Sequence, residues 1–298
     1  MYEPRPGFRL ARSGSAEFNV RLQAAPKDSV RLEIVDSTGV VVRTMRAAAR
    51  AGMNRFTWDL RHDGPKQVEL RTTPPDNPRI WEEARFKGKE TRPIIHWGIQ
   101  NPQRTGPLAV PGAYTVRLTV DSAPPRSQVF RVLKDPAVPT TEADLAASTR
   151  LQARIRDAMN ASVDIINRLE VMRRQIEDTV RVRAADAGMV EQLKALDRKM
   201  LDVELLLLSR TDLHSDDKWY VEKYRTYMNL VWLAGEVGTG AGDVAGGAEY
   251  RPTDASVGVF TDLEKELAAA RAAFRKLLDT DVKAFNDLMQ GKMKVVMN

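Results

Sequence analysis

The chain has 298 residues, 43% hydrophobic and 29% charged, enough for two cores of ordinary composition. It has no cysteine, which excludes disulfides, thiol catalysis and thiolate metal sites. The net charge of +6 is uneven: Met1 to Asp135 holds 23 Lys+Arg against 14 Asp+Glu, a net of +9, and the remainder 23 against 26, a net of −3.

Residues 1–17 have no strand pattern of their own and are expected as an extended arm. Their polar, proline-rich start is followed by no apolar segment, so no signal peptide is visible. From residue 18 to 135 the apolar positions alternate with period two, the mark of half-buried strands. Phe18–Gln23, Val30–Ile34 and Tyr114–Val120 show this, with a hairpin expected at Ser37-Thr-Gly39. Phe56 and Trp58 share one face of a strand, Gln128–Leu133 closes the set, and Tyr114 follows a Pro-Gly turn as a corner tyrosine does. These features predict an Ig-like antiparallel β-sandwich over residues 18–135. A long insertion at 65–110, rich in Pro, Arg and Lys, carries Trp81 and Ile94-Ile-His-Trp-Gly98. A loop of that length is usually functional or interfacial. Equally, it is a flap whose tryptophans cover the sandwich edge.

Beyond residue 135 the period changes to that of a helix. Thr141-Glu-Ala-Asp144 opens like a capping box. Leu145, Leu151, Ile155, Met159, Ile166, Leu169, Met172 and Ile176 then form one apolar stripe, predicting a helix to about Arg183. Leu193, Leu196, Met200, Val203 and Leu207 mark a second helix. Ser215-Asp-Asp217 is expected to cap a third, bearing Tyr220, Tyr224 and Tyr227, and Phe260 to Phe285 a fourth. No apolar run approaches the roughly 20 residues that span a bilayer. The expected architecture is α+β and multidomain: the sandwich, then an antiparallel four-helix bundle over residues 136–298.

Asp36-Ser-Thr-Gly39, the strand Gly52 to Trp58-Asp59 and the turn Pro111-Gly-Ala-Tyr114 resemble the Ig-like module of flagellar hook-capping proteins, with Leu60 where a glycine is usual. More of the chain is similar to the C-terminal region of bacterial sortilin-like, Asp-box (BNR) propeller proteins of glycosyl-hydrolase-like type. The motifs are Trp58-Asp-Leu-Arg61, Ile95-His-Trp97, Gly106-Pro107, Pro111 to Leu118, Asp135-Pro136, Thr141 to Leu145, Arg251-Pro-Thr253 and Phe285-Asn286. The resemblance covers nearly the whole chain. No Ser-x-Asp-x-Gly-x-x-Trp repeat occurs, so no propeller activity is implied.

The sequence offers little chemistry. His62, His96 and His214 are scattered without ligand spacing. Asp59 and Asp63 are two carboxylates at a strand end, where a glycosidase pair would need a cleft. Gly235-Glu-Val-Gly-Thr-Gly-Ala-Gly242 follows a helix and contains no lysine, unlike a phosphate-binding loop. No enzyme activity, cofactor or metal is expected. The expectation is a bacterial, periplasmic or extracytoplasmic accessory subunit that docks on a larger assembly, respiratory or photosynthetic complexes included. The alternative is a carbohydrate- or peptide-binding region of a propeller-type hydrolase. Partners are expected among protein subunits or an anionic membrane surface; nucleic acid is not expected, for want of a Lys/Arg block. Tyr2, Arg5, Phe8, Arg9, Trp81, Arg85 and Trp97 are the expected contact residues, because tryptophan and arginine anchor interfaces.

Overall fold

The structure, a computed structural model, describes residues 1–10, 14–214, 222–241, 245–289 and 295–296. Its strands are β1 (Gly7–Arg9), β2 (Ala16–Leu22), β3 (Val30–Val35), β4 (Val41–Ala47), β5 (Gly52–Trp58), β6 (Gly112–Thr119) and β7 (Arg126–Lys134). Five of them form one sheet in the order β1-β7-β6-β3-β4, while β2 and β5 form a separate two-stranded sheet.

The expected Ig-like sandwich is therefore not what forms. Alternation assigned the inward residues but said nothing of how strands divide between sheets. The 65–110 stretch supplies no long strand to widen the smaller sheet, making only the isolated bridges Arg61↔Leu108 and Leu70↔Arg92. The arm, expected to be strandless, adds β1 parallel to β7, with Gly7 opposite Val132.

The inward positions of both sheets share a core of Phe18, Val20, Leu32, Ile34, Phe56, Trp58, Val116 and Phe130. Trp58 is fully buried, its ring edge-on to Tyr114 and Phe130 at centroid distances of 5.4 and 6.0 Å. Its Nε1 donates to the Arg61 carbonyl at 2.7 Å, so the indole is buried with its polar edge satisfied. Tyr114 Oη donates to the Val110 carbonyl at 2.8 Å, tying the entry of β6 to the strand itself.

The helical half is built on α1 (Glu142–Val182), 41 residues long and so about 60 Å at 1.5 Å per residue. Thr141 Oγ1 caps it, accepting from Asp144 N at 3.1 Å. The others are α2 (Ala187–Glu204), α3 (Arg210–Leu213), α4 (Thr226–Ala234), α5 (Asp254–Lys276) and α6 (Lys283–Met289), with π-helical turns at Gly235–Thr239 and Leu277–Val282. This replaces the expected four-helix bundle with one long helix carrying partners of unequal length. The third expected helix is the main departure. Tyr224 lies ahead of α4 in non-helical backbone, and Ser215-Asp-Asp217 and Tyr220 fall outside the described residues. The fourth is long but changes winding at Leu277–Val282, giving α5 and α6.

Gly246 and Gly247, at the end of the loop that begins at Gly235, serve close packing. A Cβ on Gly246 would stand 2.2 Å from the Gly238 carbonyl, and Gly247 N donates to the Glu236 carbonyl at 2.8 Å. The loop folds against its own start, which only a residue without a side chain permits.

The two halves exchange parts. Val68, Leu70, Ile94 and Ile99 of the insertion belong to the helical core, and Ala248 from beyond α4 belongs to the sheet core. Arg9 clasps the junction. It is fully buried, with Nε 3.2 Å from Glu249 Oε1, Nη1 2.8 Å from the Ala109 carbonyl and Nη2 2.7 Å from the Ala248 carbonyl.

Candidate functional site

The insertion is the feature with the greatest capacity to make contacts, and its path follows from the backbone up. Its two ends touch: a Cβ on Gly64 would lie 2.0 Å from the Arg104 carbonyl, and one on Gly106 would lie 2.1 Å from that of His62. From this crossing, residues 66–72 run extended along α1. Lys66 N donates to Asn160 Oδ1 at 2.7 Å, Glu69 N to Asn167 Oδ1 at 2.9 Å, and Asn167 Nδ2 returns a bond to the Gln67 carbonyl at 3.1 Å. The spacing is commensurate. Three extended residues advance about 10 Å, and the seven helical residues from Asn160 to Asn167 advance about 10.5 Å. The strap's main chain is thus satisfied by helix side chains, as buried backbone requires.

The strap ends over a cluster of buried charge. Glu170 accepts from the backbone N–H of Arg71 and of Thr72, and from Thr72 Oγ1 at 2.7 Å. Arg173, one turn on, lies 3.4 Å from Glu170, 2.9 Å from Asp197 and in a short contact with Glu204 of α2. Arg92 of the insertion enters from the opposite side, its Nη2 donating to the Thr72 carbonyl at 3.1 Å. Glu170, Glu204, Arg173 and Arg92 are all buried. Burial lowers the Arg92 guanidinium to about 10. Burial, then the neighbouring Glu170 charge, pushes the Glu204 carboxyl up to about 8 against the pull of Arg173. Arg173 is driven up, its burial outweighed by the surrounding carboxylates.

A carboxyl raised on folding stabilises the native state below its unfolded value, and that contribution is lost as pH rises through the folded value. Urea midpoints should therefore fall from about pH 5 to 8 in the wild type. In Glu204→Gln the fall should be shallower. An identical pH profile for the two proteins would remove Glu204 from this role.

Beyond the strap the insertion opens a cleft of about 600 Å³ against the end of α1, with Arg71 and Trp81 on one wall and Arg174, Glu177 and Asp178 on the other. Trp81 follows the buried anchor Ile80, and its ring lies under Arg92 at 5.7 Å. Trp81 Nε1 is shielded from water and has no hydrogen-bond partner among the described residues. An unmet buried donor costs about 1–3 kcal/mol. Further on, Ile94, His96 and Ile99 are buried while Trp97 between them is 62% exposed. His96 Nε2 lies 2.8 Å from Tyr224 Oη, and its ring packs edge-on to Tyr224 and Trp232.

The expected contact residues do not form one patch. Tyr2, Arg5 and Phe8 are exposed on the arm, Tyr2 with its backbone N–H bonded to the Asn19 carbonyl. Arg9 is consumed internally and leaves the list. Arg85 is exposed, paired with Glu83 at 2.7 Å and lying over Phe86. Trp81 is half-buried at the cleft and Trp97 projects from the insertion. Asp59 and Asp63 flank Arg43 at 4.0 and 3.7 Å, and Asp63 caps the free edge of β4, its N–H donating to the Val42 carbonyl at 2.8 Å. That pairing gives both carboxylates a structural task.

The buried charges were missed. Their signal was present: Glu170 and Arg173 stand four and seven residues after Ile166, positions that belong to the core stripe. Among the described residues no group of three or more His, Cys, Asp or Glu is placed to hold a metal ion, and no helix is long and apolar enough to cross a membrane. No protein-family model matches the chain and no curated protein matches it, so the hook-capping and propeller-tail resemblances rest on their motifs alone.

Proposed function

We propose that this protein is a non-catalytic docking subunit, extracytoplasmic in location, whose insertion presents the contact surface to a larger assembly. The observation that carries the reading is Trp97, 62% exposed between buried neighbours. A large aromatic held out by a loop that is itself anchored through His96 and Tyr224 loses little freedom on binding, which is how interface anchors gain affinity. The Trp81 ring on the cleft wall adds a second aromatic contact. The strap along α1 keeps both tryptophans on a rigid support.

The test is co-purification from native membranes with wild type and Trp97→Ala. Thermal melting first establishes that the variant is folded. Its partner should bind roughly 30-fold more weakly, the equivalent of about 2 kcal/mol at an aromatic hot spot. Full retention of the partner by the folded variant would remove the insertion as the docking surface.

A further inference from the structure

We infer that the outward face of the five-stranded sheet is a second contact surface, and that it receives carboxylates of an acidic protein partner. This deepens the docking reading and rests on it.

The strand registers place the charges. Arg31 on β3 stands directly opposite Arg46 on β4, and Arg117 on β6 stands opposite Glu33 on β3. Arg131 lies on the same outward side of β7, because Phe130 and Val132 on either side of it face the core. Across these strands the face carries four guanidiniums and one carboxylate, Glu33. Arg31, Arg46 and Arg131 are exposed. Like charges directly opposite in an antiparallel pair are destabilising. The Arg31–Arg46 pair therefore stands as an unfavourable arrangement in the isolated chain that an incoming anion would reverse.

Glu33 indicates which anion fits. Its carboxylate sits 3.7 Å from Arg31 and 3.4 Å from Arg117, held between two guanidiniums on neighbouring strands. A partner carboxylate between Arg31 and Arg46 would repeat that arrangement. Arginine rather than lysine occupies every cationic position, and its planar fork matches a carboxylate at two points. Among the other outward residues Thr44, Thr115, Thr119 and Ser127 are short and hydroxyl-bearing, while Val129, 65% exposed, adds an apolar spot beside Arg131.

The experiment measures binding of a fluorescein-labelled oligoglutamate to the whole chain by anisotropy, at low and at moderate salt. Wild type should bind at one salt-sensitive site. The triple variant Arg31→Gln/Arg46→Gln/Arg117→Gln should bind roughly tenfold or more weakly. Arg46→Gln alone, on the edge strand, should melt at or above the wild-type temperature while binding less. A merely structural role for Arg46 would lower the melting temperature instead and sink the inference. So would absent oligoglutamate binding, or binding equal in wild type and triple variant. Vesicles of equimolar phosphatidylcholine and phosphatidylglycerol form the other arm. Capture by vesicles that the triple variant abolishes, with oligoglutamate ignored, would replace the acidic protein with a membrane and overturn the assignment. If the oligoglutamate test fails while Trp97→Ala still releases the native partner, the sheet face is wrong and the docking reading stands.

Discussion

Arg173→Met is expected to cost about 3–5 kcal/mol of folding stability, the range for a buried charge pair that loses one partner. Glu170 and Glu204 are both fully buried, and Arg173 contacts each, with the Arg92 guanidinium also in their field. Without it, two carboxylates face each other in a space that excludes water. Removing the carboxylates as well should recover most of the loss, because a fully apolar replacement of such a cluster is often neutral or better. Urea unfolding of Arg173→Met and of Arg173→Met/Glu170→Gln/Glu204→Gln checks both statements. The single variant should also suffer less at pH 5 than at pH 8. Glu204, with its carboxyl already at about 8, is protonated at the lower value. A loss below about 1 kcal/mol in the single variant would mean that water reaches the cluster.

Gly106→Ala is expected to be comparably damaging, by about 3 kcal/mol or more, for a different reason. The added Cβ would stand 2.1 Å from the His62 carbonyl oxygen and 2.6 Å from that of Asp63, and neither backbone can move freely. His62 N is bonded to the Pro107 carbonyl, and the strap beginning at Lys66 is fixed to Asn160. Thermal melting measures the loss. Gly258→Ala, in the exposed second turn of α5 with nothing near its Cβ, is the control. It should stabilise by about 0.5–1 kcal/mol through helix propensity. Equal melting temperatures for Gly106→Ala and wild type would show that the crossing can open without cost.

What the sequence conveyed depended on how local each feature was. The strands β2, β3, β5, β6 and β7 were legible because alternation is a property of neighbouring residues. Helix α1 was legible to within a residue of its end because its stripe and its Thr141 cap are local too. β1 was not, since three residues show no period and their partner β7 lies more than 120 positions away. Assigning the strands to a sandwich failed because Phe18 and Val116 both read simply as inward, whichever sheet holds them. The strap was hidden for a subtler reason. Asn160, Asp164 and Asn167 lie on one face of α1 and look like ordinary solvated residues, yet they hold the main chain of residues 66–69 and the Lys66 ammonium. At the candidate site, Trp81 and Trp97 were picked out by residue type. Arg9 was misassigned by the same criterion, because nothing in an arm of that composition announces a burial partner at Glu249.

The Arg9 clasp also bears on the order in which the protein can be assembled. Its two ends are separated by 240 positions in the chain. A growing polypeptide therefore completes β2 to β7 long before the acceptor at residue 248 has been made. Until then the Arg9 guanidinium has only the Ala109 carbonyl of its three partners, so a group that the finished protein excludes from water stays hydrated and holds β1 weakly on the edge of β7. Closing so large a loop is entropically slow and leaves that edge open to other strands meanwhile. Maturation of the first ten residues is thus tied to synthesis of the last fifth of the chain, and truncation before Glu249 would release the amino terminus from the sheet while leaving the other strands their partners.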